Sequence, residues 1–86
     1  MMKILFFAQL KEQLGIDSVD VHISEQTTAK QLLQHLVKEN PQWQAFLERD
    51  DLMCAVDQVM LSPQDIQNQP IANTQEVAFF PPVTGG

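Results

Sequence analysis

Two short runs, one near each end of the chain, are apolar on both faces of a β-strand. In residues 3–8 (KILFFA), one face would carry Ile4, Phe6 and Ala8 and the other Leu5 and Phe7, and residues 77–80 (VAFF) repeat the pattern. A strand that is apolar on both faces normally lies inside a sheet and is covered on both sides. We therefore predict a single sheet in which the first and last strands of the chain are the central pair.

Helix and strand periodicities alternate between these two runs. Residues 28–40 predict a long helix: Thr28 and Gln31 have the spacing of a capping box, and Asn40-Pro41 ends the segment. Its apolar stripe at helical spacing is Ala29, Leu32, Leu33, Leu36 and Val37. Before it, residues 9–14 predict a short helix that stops at Gly15. Residues 19–23 alternate as a half-buried strand, which we expect to return antiparallel to the first.

The second half of the chain predicts shorter elements. Trp43, Phe46 and Leu47 indicate a short helix, residues 53–56 a strand, Asp57-Gln58 a turn and residues 59–61 another strand. Residues 62–73 are polar and rich in turn formers, which predicts an irregular connection. The order predicts an α+β fold of the β-grasp type, a mixed sheet with one main helix packed on one face. We expect one domain over residues 1–80, followed by an extended tail over 81–86.

Composition excludes several classes of function. The 86 residues carry 5 Lys and Arg against 11 Asp and Glu, a net charge of −6, which argues against nucleic acid as a partner. Such acidity permits a partner with a basic surface, or it serves solubility alone. We predict no signal peptide, no membrane-spanning segment and a cytoplasmic location, which the single cysteine fits.

The chain finishes on Pro81-Pro82-Val83-Thr84-Gly85-Gly86, directly after an apolar strand. The prolines favour an extended exit from the sheet, and the glycines leave the terminal carboxylate without bulky neighbours. From Pro81 to Gly86 such an arm reaches at most about 20 Å, enough to enter a channel in another protein. The alternative is that small residues at a chain end simply fray.

The predicted helix covers one face of the sheet, and little in the sequence is available to cover the other. Strand parity places Leu5 and Phe7 on that second face, and the neighbouring position of the last strand adds Phe80. An exposed apolar patch on a small protein marks a partner site, so we predict a partner interface at Phe7 and Phe80. The alternative is that the short helix and the connection after Ser62 cover this face internally.

The sequence does not read as a complete enzyme. It has neither GxxxxGK nor GxGxxG, so we do not expect it to activate its own carboxylate with ATP. Cys54 lies in an apolar strand near acidic residues, which predicts a structural thiol. His22 and His35 have no sequence neighbours in a metal-binding or catalytic pattern, and we expect both to be solvated. We predict no metal site.

Three segments resemble the small subunits of molybdopterin synthase, which are ubiquitin-like sulfur-carrier proteins. The most specific is Glu76–Gly86 (EVAFFPPVTGG), and the others are Lys3–Glu12 and Ala55–Gln58. Two positions depart from the pattern: Asp57 stands where Asn is common, and Thr74-Gln75 where Gly-Asp is common. The departures leave the conformation of the turn at residues 73–75 open.

The resemblance implies a ubiquitin-like β-grasp fold and a sulfur carrier without a permanently bound cofactor. An E1-like enzyme would adenylate the carboxylate of Gly86, and a sulfur transferase would convert it to a thiocarboxylate. The tail, Pro81–Gly86, would enter the large synthase subunit of a heterotetramer, which supplies the catalytic groups. Sulfur would pass there to cyclic pyranopterin monophosphate, forming molybdopterin. Two alternatives remain: a ubiquitin-like modifier joined to lysine through Gly86, and a sulfur carrier of the thiamine type.

Overall fold

The computed structural model describes residues 2–24, 26–72 and 75–82. The strands in this part of the chain are β1 (Met2–Phe6), β2 (Ser18–Val21), β3 (Met53–Val56), β4 (Val59–Met60) and β5 (Glu76–Phe80). The helices are α1 (Ala8–Leu14), α2 (Ala29–Glu39), α3 (Gln44–Leu47), which follows a 3-10 turn at Pro41–Trp43, and α4 (Pro63–Asn68).

The strands form one mixed sheet in the order β2-β1-β5-β3-β4. The first and last strands, β1 and β5, are parallel neighbours at its centre, with Ile4 opposite Val77 and Phe6 opposite Phe79. β2 pairs antiparallel with β1, and β3 pairs antiparallel with β5. The predicted central pair and the predicted antiparallel return are both confirmed. The expected cover on both faces of these strands is wrong: one face is fully buried, whereas Leu5, Ala78 and Phe80 on the other are only half-buried.

The core lies on one face of this sheet and takes alternate residues from each central strand. Met2, Ile4 and Phe6 of β1 are fully buried, as are Val77 and Phe79 of β5. The same cluster holds the buried side chains of the helices, which are Leu10, Leu14, Ala29, Leu32, Leu36 and Leu47, together with Trp43. All the helical apolar groups therefore serve a single face of the sheet.

Local chemistry explains where α1 and α2 begin and end. The Thr28 side chain accepts a hydrogen bond from the backbone N–H of Gln31, and the Gln31 side chain accepts one from the backbone N–H of Thr28. This capping box, as predicted, satisfies two backbone donors that a helix start leaves free. Gly15 ends α1 with φ +78°, a left-handed conformation that glycine adopts without steric cost.

Two predictions of local structure are wrong. Ala8 is not the last residue of a strand but the first residue of α1, with φ +56°, so the chain turns into the helix immediately after Phe7. Residues 62–73 are not wholly irregular, since they contain α4. Its start is capped by the Ser62 hydroxyl, which accepts from the backbone N–H of Asp65 at 3.1 Å, and Pro63 occupies the first helical position.

Candidate functional site

The second face of the sheet carries a continuous apolar surface. Strand register places Leu5, Ala78, Ala55 and Met60 side by side across β1, β5, β3 and β4, and places Phe80 beside Met53 in the next row. We call this surface, Leu5, Met53, Ala55, Met60, Ala78 and Phe80, the open face. Adjacent strands lie about 4.8 Å apart, so the first row spans about 14 Å.

The open face remains accessible. Within the described residues none of its side chains is fully buried: Met60 is 49% exposed and the others are half-buried. The predicted alternative, internal cover by the short helix and the connection after Ser62, is wrong. Trp43 instead packs on the opposite side, where its ring meets Phe6 edge-on at 6.0 Å between centroids, and Leu61 and Ile71 join the core. Such an apolar surface on a small protein is the expected form of a partner site.

Phe7 extends this surface beyond the end of β1. Its backbone N–H donates to the carbonyl of Phe79 at 3.2 Å, which continues the pairing of β1 and β5 by one residue. Its backbone is extended, with φ −121° and ψ 162°, so the alternation of faces continues and Phe7 follows Leu5. The side chain is 47% exposed. Phe7 and Phe80 thus lie at the same end of the open face, where the parity of the sequence placed them.

The chain leaves the sheet at this end. Phe80 is the last residue of β5 and pairs with Met53, and Pro81 and Pro82 follow as half-buried residues. Proline has no backbone N–H, which ends the ladder there. The remaining predicted tail residues, Val83, Thr84, Gly85 and Gly86, lie outside the described residues, as does the turn at Asn73 and Thr74.

Asp57 holds the start of β5 in place. One carboxylate oxygen accepts from the backbone N–H of Glu76 at 2.9 Å, and the other accepts from the Gln75 side chain at 3.3 Å. The Asp57 N–H in turn donates to the Glu76 carbonyl at 2.8 Å. These bonds fix the register of β5 against β3, and hence the point at which the tail leaves. Sequence reasoning had treated Asp57 only as a turn residue.

Charged residues border the open face at the end away from Phe80. The register places Lys3 between Asp20 and Glu76, so that a positive side chain stands beside two negative ones across β2, β1 and β5. Opposite charges on neighbouring strands are mutually stabilising. The border is therefore polar while the end nearest the tail is apolar.

The other predicted candidates, Cys54, His22 and His35, lie off the open face, and His22 and His35 line one surface cleft between β2 and α2. Cys54 is 1% exposed, and burial raises the pKa of its thiol to about 12, so it stays protonated as its structural role requires. His22 and His35 are both exposed, as expected. The described part of the chain holds no group of three or more His, Cys, Asp and Glu side chains suited to a metal ion. In that same part, no helix is long and apolar enough to cross a membrane.

The described chain thus leaves the sheet through Phe80, Pro81 and Pro82 at one end of the apolar open face. The profile of the ThiS family matches residues 4–86. The chain belongs to the ThiS family. Its similarity to a curated relative extends over the full length: the molybdopterin synthase sulfur carrier subunit of Escherichia coli is 41% identical over 86 residues, 100% of both chains.

Solved structures related to this ThiS-family chain confirm its ubiquitin-like β-grasp fold. The crystal structure of SAMP1 from Haloferax volcanii superposes with a TM-score of 0.76 at 26% identity, covering 99% of this chain and 98% of that one. The complex of subunits 1 and 2 of molybdopterin-converting factor from Helicobacter pylori contains a chain with a TM-score of 0.65. That chain is 19% identical, with 99% and 97% coverage, and supports the fold alone.

Proposed function

We propose that this chain is the sulfur carrier subunit of a molybdopterin synthase and works in the cytoplasm. The observation that carries the proposal is the 41% identity to the Escherichia coli subunit over 100% of both chains. The open face and the exit of the tail beside it support the same function, because a carrier needs a surface for partners and an arm that can reach into them.

The reactive group is the carboxylate of Gly86. A carboxylate is a poor acyl donor, so an E1-like enzyme first joins it to AMP and releases pyrophosphate from ATP. A sulfur transferase then supplies sulfur at the sulfide level, which attacks the acyl carbon; the bond to AMP breaks, AMP leaves, and the tail ends in a thiocarboxylate. This anion is the sulfur nucleophile that attacks cyclic pyranopterin monophosphate, where sulfur replaces an oxygen, and water then cleaves the acyl–sulfur bond and returns Gly86 to a carboxylate. The adenylate and the thiocarboxylate are transient forms of the tail, and the chain keeps no permanent cofactor.

The rest of the chain positions this group. Phe7, Phe80 and the open face bind the large subunit of the synthase, and Pro81–Gly86 enters its active site. Pro81 and Pro82 restrict the base of the arm, which lowers the entropy lost on insertion. Gly85 and Gly86 allow close approach of the backbone to the substrate. The catalytic groups belong to the large subunit, two copies of which form a heterotetramer with two carriers.

Intact mass spectrometry tests this proposal. After incubation with an E1-like enzyme, ATP and a sulfur donor, the carrier should gain the mass of one oxygen replaced by sulfur. Deletion of Gly86 should abolish both this gain and sulfur transfer while the thermal melting curve stays unchanged. Full sulfur transfer by the deletion variant would contradict the assignment of Gly86.

A second candidate function is a ubiquitin-like modifier, favoured by the likeness to SAMP1, a name that denotes a small archaeal modifier protein. In that role the Gly86 adenylate would react with a lysine amine, forming an isopeptide bond and releasing AMP. The same mass spectra separate the two functions. Lysine-linked adducts without the sulfur-exchanged mass would favour the modifier.

A further inference from the structure

The outer edge of β2 is a further surface that the fold leaves accessible. β2 stands at one end of the strand order, and among the described residues no strand pairs with its outer side. Its pairing with β1 is continuous over four residues, without a bulge, and β2 contains neither proline nor lysine. Bulges, prolines and lysines are among the usual means by which proteins block an edge strand. β2 therefore has none of these three obstacles to pairing with a further strand.

The register identifies the backbone groups of β2 that face this edge. Phe6 donates its backbone N–H to the carbonyl of Asp17 at 2.9 Å, and opposite residues in an antiparallel pair are hydrogen-bonded at every second position. Val19 and Val21, two and four residues further along, therefore bond to β1. The backbone N–H and C=O of Asp20, which lies between them, point to the outer edge. An added strand would exchange two hydrogen bonds with this residue.

A cleft of about 310 Å³ runs along the same edge, between β2 and α2. We call it the β2–α2 cleft. Residues 19–22 line it from the strand side, and one face of the helix contributes His35, Leu36, Glu39 and Asn40. Its floor is apolar, because Leu36 is buried and half-buried Val19 and Val21 pack against the core. A strand added beside β2 would place alternate side chains over this floor, opposite the two valines.

The charges at this edge favour a basic residue opposite Asp20. The register aligns Glu76, Lys3 and Asp20 in one row across the sheet, so that negative and positive side chains alternate. A basic residue on an added strand would continue this alternation, and opposite charges on neighbouring strands are stabilising. Glu39 adds a second carboxylate to the cleft, whose lining within the described residues contains no lysine or arginine. A second copy of the chain is disfavoured as the occupant, because each copy carries a net charge of −6.

We propose that the outer edge of β2 and the β2–α2 cleft bind an extended peptide segment of another protein by strand addition. The segment carries a basic residue between two apolar ones. The basic residue pairs with Asp20, and the apolar side chains opposite Val19 and Val21 enter the cleft. Backbone hydrogen bonds supply affinity, and the alternate side chains supply specificity. This site uses neither the open face nor Gly86, so it does not depend on the proposed sulfur transfer.

NMR titration of the isotope-labelled full chain with short peptides tests the proposal. The probe is an acetylated and amidated peptide of sequence Thr-Val-Lys-Val-Thr, and two control peptides carry glutamate or backbone N-methylated lysine at the central position. We expect the probe to bind in the millimolar range, to shift the amide signals of residues 18–22 and 35–40, and to slow hydrogen exchange of the Asp20 N–H. The N-methylated peptide cannot donate to the Asp20 carbonyl and should bind about tenfold more weakly. The glutamate peptide should bind about fivefold more weakly at low salt.

Charge reversal on the protein separates pairing at Asp20 from a general effect of charge. Asp20→Lys should invert the preference, so that the glutamate peptide binds about fivefold more tightly than the lysine peptide. Asp65→Lys, at an exposed position of α4, makes the same change in net charge and should keep the original preference.

Several results would overturn the inference: no binding at millimolar peptide, equal binding of the N-methylated peptide, an unchanged preference in Asp20→Lys, or shifts centred on the open face. If the free chain sediments as a dimer in which the Asp20 N–H is already protected from exchange, the occupant is a second copy and the inference also fails.

Discussion

Replacement of Phe7 by alanine tests whether the open face is the surface that binds the large subunit. Phe7 is 47% exposed. For an aromatic side chain of roughly 200 Å², that fraction leaves about 95 Å² for a partner to cover. At about 25 cal/mol per Å², covering it contributes about 2.4 kcal/mol. Alanine would retain a small part, so Phe7→Ala should weaken binding by about 2 kcal/mol, or roughly thirtyfold in Kd.

Val59 provides a matched control for this measurement. It is 66% exposed and offers a similar apolar area, but it pairs with Val56, whose side chain points into the core, so it lies off the open face. Calorimetric titration of each variant against the large subunit should show the loss for Phe7→Ala and less than about a twofold change for Val59→Ala. Equal losses would mean that hydrophobic exposure alone determines binding, and an unchanged Kd for Phe7→Ala would refute the interface.

Two further predictions concern stability. Gln58 has φ +69° in the two-residue hairpin turn with Asp57, so Gln58→Gly should raise the free energy of unfolding by about 1 kcal/mol. Gln34→Gly at an exposed position of α2 should lower the free energy of unfolding by a similar amount. Urea denaturation measures both changes, and a loss of stability in Gln58→Gly would contradict the assigned turn. Burial raises the pKa of the Cys54 thiol from an ordinary 9.0 to about 12, so the folded state favours the neutral thiol. The resulting contribution to the free energy of unfolding is complete below pH 9 and is lost as the pH rises toward 12. Cys54→Ala should remove this alkaline decline, and an identical pH profile in the variant would show that the thiol does not cause it.

The elements that could be predicted from the sequence are those with strong local signals. The central pair follows from two runs that are apolar on both faces, and α2 from a capping box joined to an amphipathic stripe. In each case the local conformational preference of the residues and the burial of their side chains favour the same structure. A segment becomes predictable when its local preference agrees with its tertiary environment in this way. Gly15 is a third example, since its left-handed conformation is nearly specific to glycine.

The elements that were missed lacked such agreement. α4 has a valid start signal in Ser62, Pro63 and Asp65, but its polar composition and single half-buried side chain, Ile66, resemble a loop. Ala8 adopts a positive φ that its residue type does not favour, so the end of β1 was misplaced. Ile66 packs against the core, a nonlocal contact that the polar local pattern of α4 does not indicate.

The candidate site was only partly predictable from the sequence, because part of it depends on how distant strands pair. Phe7 could be assigned to the face of Leu5 by parity, and Phe80 by its neighbouring position on the last strand, because the first and last strands were expected to be adjacent. Met53 and Met60 could not, since their places on the open face depend on how β3 pairs with β5 and β4 with β3. Strand pairing is a nonlocal property, and a shift of one residue would have turned both side chains to the other face.

The hydrogen bonds of the sheet couple the open face to the tail. Leu5, Ala78 and Phe80 occupy fixed positions on β1 and β5, and the tail begins one residue after Phe80, where the last paired strand ends. A partner that binds the open face therefore meets the start of the tail, after Phe80, at a fixed position. Asp57 stabilises this position from the far end of β5 by holding Glu76 in register. Because the core and the helices that pack on it lie on the opposite face, substitutions on the open face should leave the fold stable.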